Sequence, residues 1–206
     1  IAAAKAIMTT DLIQKHAIVR EEQFTIGGIC KGSGMIAPNM GTMLGYVYTD
    51  AEISARDLQE ALKTAVRRSF NRVVVDGDTS TNDIVFCTAT GAAGKVSLPA
   101  FTTALEKVCV TLGRQIAQDG EGATKLIEVR VRGARSEDEA DLVAKTVVAS
   151  PLVKSAVYGE DPNWGRIIAA AGRSGAEFDP EQVSCWIAGG EIRAAVCEQG
   201  NLIEDL

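Results

Sequence analysis

One histidine, His16, in 206 residues removes several kinds of chemistry at once. A Ser-His-Asp or Cys-His engine needs an imidazole beside its nucleophile, and a histidine-rich metal site needs several; His16 stands in a polar stretch beside Gln14 and Lys15. Paired cysteines are missing too. Cys30, Cys87, Cys109, Cys185 and Cys197 make an odd set without CxxC spacing, and most have apolar neighbours, so they read as reduced core thiols of a cytoplasmic protein. Basic residues are in deficit, 21 against 27 acidic ones, which excludes a nucleic-acid partner and favours small-molecule ligands. No apolar run is long enough to span a membrane. The opening Ile1-Ala2-Ala3-Ala4-Lys5-Ala6-Ile7-Met8 is too short, lacks a preceding basic segment and starts without methionine. It reads as the middle of something, with its upstream partner a separate chain or cut away.

What is present is soluble globular material. Hydrophobic residues make up 46% and charged ones 23%, enough for one sizeable core or two small ones. After a short helical piece and a turn at Thr9-Thr10-Asp11, residues 23–26 alternate as a strand, and Gly27-Gly28 is expected to turn the chain. Residues 43–49 form a strand, and residues 54–68 an amphipathic helix with Ser54 as N-cap. Strands are expected at 73–75 and 84–89, around the acidic loop Asp76-Gly77-Asp78-Thr79-Ser80-Thr81-Asn82-Asp83. A long helix follows over about 99–118, and Gly120 is placed to end it. Ile127, Val129 and Val131 alternate with charged residues as a one-faced strand. Ser136 and Glu139 open a third helix that Pro151 stops, 153–158 looks strand-like, Asp161-Pro162-Asn163-Trp164 opens a short helix, and 183–188 with 192–197 suggest a hairpin. No repeat or linker interrupts this, so residues 1–206 read as a single layered α/β sheet-and-helix region.

Two ligand motifs fail on inspection. Asp76, Asp78 and Ser80 have the spacing of a calcium loop, but Thr81 stands where its glycine belongs and Cys87 where its glutamate belongs. Lys31-Gly32-Ser33-Gly34 hints at a phosphate loop, yet the lysine precedes the glycines. The same run continues to Pro38-Asn39-Met40-Gly41-Thr42-Met43 and sets a small residue directly before a threonine. A threonine hydroxyl there can attack the carbonyl upstream, shift the acyl group from nitrogen to oxygen and lose it to water. Its freed α-amine then serves as base for the hydroxyl. On spacing alone an ordinary glycine turn is the commoner explanation.

The motifs MTTD, KGSGM, PNM-x-TML, VDGDTSTND, DGEGATKLIEV and DPNWGR, spread over almost the whole chain, resemble the ornithine acetyltransferase, or glutamate N-acetyltransferase, family of arginine biosynthesis. Gly41 departs from the alanine usual there, and glycine tolerates the strained backbone such a site requires. The resemblance implies a four-layered α/β/β/α arrangement. It makes 1–41 the end of an α-chain and 42–206 a β-chain segment, cut at Gly41-Thr42 and paired as a dimer of αβ units. It implies acetyl transfer from N2-acetylornithine to glutamate through an ester on Thr42, with acetyl-CoA a possible further donor and no cofactor or metal. It places Thr9, Lys31, Thr42 and Glu121 in contact with substrate. Charge complementarity assigns Lys31 to a substrate carboxylate and Glu121 to the ornithine amine. The family's upstream Thr-Gly oxyanion donors and its C-terminal substrate-binding asparagine have no counterpart, so this chain alone is expected to be an incomplete catalyst. Two other readings stand beside it: a related self-processing aminopeptidase that releases the acyl group to water, and a non-catalytic remnant that binds amino acids.

Overall fold

The computed structural model describes residues 2–37 and 43–203, so Gly41 and Thr42 lie outside the described residues. The chain divides into two compact units, Ile1–Leu126 and Ile127–Leu206. No proline- or glycine-rich linker marks that boundary in the sequence. It is set by two separate apolar clusters, one built around a long helix and a sheet, the other around three short helices.

In the first unit, helix α1 (Ala2–Ala6) precedes strands β1 (Lys15–Arg20), β2 (Thr25–Lys31) and β3 (Leu44–Glu52). Helix α2 (Ala55–Arg67) and a 3-10 turn lead to β4 (Ile84–Lys95), and helix α3 (Leu98–Gln118) follows. The sheet order is β1-β2-β3-β4, antiparallel except for the parallel β3–β4 pair. Ser54 begins α2 as the sequence predicted, accepting the Asp57 N–H at 3.1 Å while its hydroxyl donates to the Asp57 carboxylate at 2.7 Å. Phe101, Leu105, Val108, Leu112 and Ile116 recur at helical spacing along α3 and are fully or almost fully buried. Each such side chain contributes about 1.5–3 kcal/mol of burial. The opposite face of the sheet carries Ile18, Tyr48 and Phe86, each about half exposed.

Gly27 and Gly28 do not turn the chain; both lie inside β2. They are there for packing. A Cβ on Gly28 would stand 3.0 Å from a Leu112 methyl and 3.1 Å from a Val108 methyl, so the absent side chain lets α3 settle on the sheet. Gly28→Val is expected to overpack this contact and lower stability by about 1–3 kcal/mol, measured by urea unfolding; an unchanged midpoint would show that α3 does not need that approach. β1, which the sequence did not signal, is an edge strand. Its His16 main chain is paired by the Gln115 side chain, which accepts the N–H at 2.9 Å and donates to the carbonyl at 2.9 Å.

Residues 73–75 are not a strand. They follow the 3-10 turn Phe70–Arg72, and Val73 and Val75 pack where Gly113 and Gly120 leave room on α3 and the loop after it. α3 ends at Gln118, with Asp119 as its C-cap.

The second unit contains α4 (Glu137–Ala149), α5 (Pro151–Tyr158) and α6 (Trp164–Gly172), then a sheet of β5 (Cys185–Gly189), β6 (Ile192–Glu198) and β7 (Asn201–Leu202). Val147, Val153, Ala170 and Ala171 form its core. The predicted hairpin is present as β5–β6. Residues 153–158, expected as a strand, are helical, because Ser150 accepts the Val153 N–H and Pro151 occupies the first helical turn. Residues 127–132 keep the alternation of half-buried aliphatics and exposed charges but pair with no strand among the described residues. Alternation orients side chains; a strand also requires a neighbouring ladder.

Candidate active site

The ends of three strands meet at one edge of the first unit. Lys31, at the end of β2, pairs with Leu44 at the start of β3, and Leu44 pairs with Ile84 at the start of β4. Leu44 is two residues beyond Thr42, so the candidate nucleophile is covalently tied to this row although it lies outside the described residues.

Lys31 is 8% exposed, and its Nζ donates to the Thr9 hydroxyl at 3.4 Å. Two of the residues singled out from sequence are therefore neighbours. An ammonium has three donors, of which Thr9 takes one. Glu121 reaches the same loop from the other side. Its N–H donates to the Ser33 carbonyl at 2.9 Å, and its carboxylate lies so close to Gly34 that a Cβ there would be 2.7 Å from Glu121 Oε1. Ser33 in turn donates its hydroxyl to the Asp119 carbonyl at 2.6 Å. The KGSG and DGEG loops are thus interlocked.

Beneath them lies a charge cluster that no short motif announced. Lys15 is fully buried, and its ammonium binds Asp11 Oδ1 at 2.6 Å and Asp119 Oδ2 at 2.5 Å. Asp11 also accepts the Gly32 N–H at 2.7 Å and the Thr9 N–H at 3.2 Å, while Asp119 accepts the Leu12 N–H at 3.0 Å. One cation and two carboxylates thereby join the segments that carry Thr9, Lys31 and Glu121. Burial pushes the Asp11 carboxyl up, but the Gly32 amide, Lys15 and the Thr9 amide outweigh it and hold the group below its ordinary range.

The acidic loop supplies two more carboxylates. Asp76 accepts the Met35 N–H at 2.5 Å and the Ile36 N–H at 3.1 Å, holding the descending end of the KGSGM run. Asp83 accepts the Met43 N–H at 2.8 Å. Burial raises the Asp83 carboxyl above its usual range, although the Met43 bond and the nearby charge of Lys31 both favour its ionised form. In the sequence this loop resembles a calcium site only in part, and that spacing does not single out Asp83. The available signal was a carboxylate immediately preceding a strand that starts beside Met43. Lys15 had no comparable signal, because one of its partners is 104 residues away.

The thiols are buried or partly buried. Burial pushes Cys30 and Cys109 up to about 12 and Cys87 to about 11, so they stay protonated near neutrality. Among the described residues no group of three or more His, Cys, Asp or Glu is arranged to hold a metal, and no helix is long and apolar enough to cross a membrane.

Fold and site together define a layered α/β protein with a lysine, a hydroxyl and carboxylates gathered where a strand begins just after a threonine. The ArgJ family profile matches residues 1–205, and the chain belongs to that family. It is 53% identical over 206 residues to a glutamate N-acetyltransferase of Methanosarcina mazei, covering 98% of this chain and 52% of the relative. It is 54% identical over 196 residues to an arginine biosynthesis bifunctional protein ArgJ of Symbiobacterium thermophilum, covering 90% and 49%. A crystal structure of the arginine biosynthesis bifunctional protein of Bacillus halodurans is similar at a TM-score of 0.70 and 45% identity, over 75% of this chain and 74% of that one. The chain spans about half the length of the curated relatives it matches.

Proposed function

We propose that this chain is the central part of a glutamate N-acetyltransferase that moves an acetyl group from N2-acetylornithine to glutamate through an ester on Thr42. In this reading the bond between Gly41 and Thr42 is first cut by the threonine itself, and the α-amine so released takes the hydroxyl proton. The hydroxyl oxygen attacks the acetyl carbonyl, the acetyl–nitrogen bond breaks, and the proton goes to the departing ornithine nitrogen. The glutamate amine then attacks the ester and regenerates Thr42. Lys31 binds a substrate carboxylate, Thr9 stands beside it, and Glu121 receives the ornithine side-chain amine. Acetyl-CoA is at most an additional donor. The complementary segments of a cytoplasmic heterotetramer supply the oxyanion donors and the remaining substrate contacts.

The observation that carries this reading is the Lys31–Thr9 pair at the strand end that leads back to Thr42, with the Glu121 loop locked against the same run. The names of the relatives, which are acetyltransferases and arginine-biosynthesis proteins, point to the same class.

Intact-mass measurement of the full-length protein tests it. Wild type is expected to yield two pieces divided between Gly41 and Thr42 and, with N-acetylornithine, an acetyl adduct on the piece that starts at Thr42. Thr42→Ala is expected to remain whole and unacetylated. A whole wild-type chain without adduct refutes the reading. Product analysis separates the aminopeptidase alternative, which would hydrolyse peptides without forming acetylglutamate.

A further inference from the structure

The KGSG run is held at each residue after its lysine. The Gly32 N–H donates to Asp11 Oδ1 at 2.7 Å. Ser33, 2% exposed, makes two bonds to the loop that follows α3: its hydroxyl donates to the Asp119 carbonyl at 2.6 Å, and its carbonyl accepts the Glu121 N–H at 2.9 Å. Gly34 lies against the Glu121 carboxylate, with no side chain to push it away. That loop also closes on itself, since the Ala123 N–H donates to the Gly120 carbonyl at 2.8 Å.

Only Gly32 stands between Lys31 and Ser33, and one hydrogen bond joins Ser33 to Glu121. A single bond between two loops is a hinge, whereas bonds from one residue to two positions on the facing loop fix direction as well as distance. Ser33 therefore sets where a cation and an anion leave the main chain relative to each other. Among the described residues neither Lys31 nor Glu121 forms an ion pair, so both charges remain for a ligand. A molecule that bridges them carries a carboxylate at one end and an ammonium at the other, with a length matched to their spacing.

We propose that Ser33 is a specificity-determining residue of the acetyl transfer: its clamp on Asp119 and Glu121 sets the separation of Lys31 from Glu121, and so selects N2-acetylated diamino acids by the number of methylenes between carboxylate and side-chain amine. The role rests on Lys31 and Glu121 binding the two ends of N2-acetylornithine, as in the function proposed above. Ser33 acts through these two residues and is a positioning residue. One methylene more or less moves the amine by about 1 Å, a misplacement that costs on the order of 100-fold in rate.

The full-length protein tests this with N2-acetylornithine, its homologues one methylene shorter and one longer, and N-acetylnorvaline, which lacks the side-chain amine. Wild type is expected to prefer N2-acetylornithine to either homologue by at least about tenfold in kcat/KM. Ser33→Ala and Ser33→Gly keep the main-chain bond to Glu121 but lose the grip on Asp119. In both, kcat/KM for N2-acetylornithine should fall at least about tenfold while that for N-acetylnorvaline stays within about threefold, so the preference over the homologues shrinks to about threefold or less. Ser33→Thr retains the hydroxyl and should retain the preference. A merely structural role would lower all the donors together. The role is overturned by a wild type indifferent to chain length, by a folded hydroxyl-free variant that keeps the wild-type preference, by equal losses on every donor, by Ser33→Thr losing as much as Ser33→Ala, or by failure of both hydroxyl-free variants to fold, which would make Ser33 structural. A wild type that transfers acetyl from none of the donors overturns the proposed function and this role with it, whereas an active wild type that fails any of these comparisons overturns this role alone.

Discussion

Lys15→Met is expected to remove about 3–5 kcal/mol of stability at neutral pH, a large part of the 5–15 kcal/mol typical of a folded domain. Methionine fills similar space, so the loss is one of charge. Without the ammonium, the Asp11 and Asp119 carboxylates, 0% and 4% exposed at their side chains, face each other in a buried setting with no cation between them. Like charges without a counter-ion in a desolvated site favour protonation, so the Asp11 carboxyl should rise in pKa in the variant. This changes the sign of the pH dependence. In the wild type, Asp11 is held below its ordinary value of 3.8, so its contribution is complete above that value and disappears as pH falls through the lower folded value. In Lys15→Met the folded Asp11 carboxyl is expected to lie above its unfolded value, and stability should instead increase as the medium is acidified from pH 7 towards about 5. Urea midpoints across pH 4–8 read both slopes. A variant that matches wild type at pH 7, or that weakens on mild acidification, would show that the buried triad is not what ties these segments together.

The second large effect should appear in function with almost none in stability. Gly34→Ala puts a Cβ 2.7 Å from Glu121 Cδ and Oε1 and 2.8 Å from Oε2. The obstructing atoms are the far end of an exposed, flexible side chain, so the clash is relieved by swinging the carboxylate away and the fold loses little. The carboxylate then leaves the position from which it would meet a cationic amine. About 100-fold loss of kcat/KM for N-acetylornithine is expected, since a displacement near 1 Å at a positioning contact has that cost. Acetyl transfer from a donor without the side-chain amine should fall by no more than about threefold. Comparing the two donors in the full-length enzyme, with a melting curve as control, checks this. Equal losses for both donors would mean that Glu121 does not read the amine.

Parts of this arrangement were legible in the residues alone. The helices α2, α3 and α4 follow from apolar spacing and from Ser54 and Ser136, whose side chains accept the amides three residues on, because a helix is specified by neighbours within one or two turns. Lys31, Thr9 and Glu121 were singled out through motifs, and the structure brings Lys31 beside Thr9 and locks the Glu121 loop against Gly34. Residues 127–132 and 153–158 show the limit. Alternation in the first and a short apolar run in the second say how side chains could face, but not whether another strand lies alongside or whether a capping serine and proline will start a helix instead.

By itself, then, the amino-acid order determined the family, the helices α2, α3 and α4 and the chemical types present: a threonine after a small residue, a lysine after an apolar strand, an acid in a glycine loop, and a single imidazole, that of His16. Which acids matter to which segment was decided only by the tertiary structure. Gly28 reads as a turn until α3 is laid across it, and Lys15 is only one member of a polar stretch until Asp119, 104 residues later, closes over it. Asp83 likewise gains its place from the parallel pairing of β3 with β4, whose two starting points are 40 residues apart. Sequence patterns report periodicity and local capping, whereas desolvation and charge pairing depend on groups that approach each other only when the chain has folded.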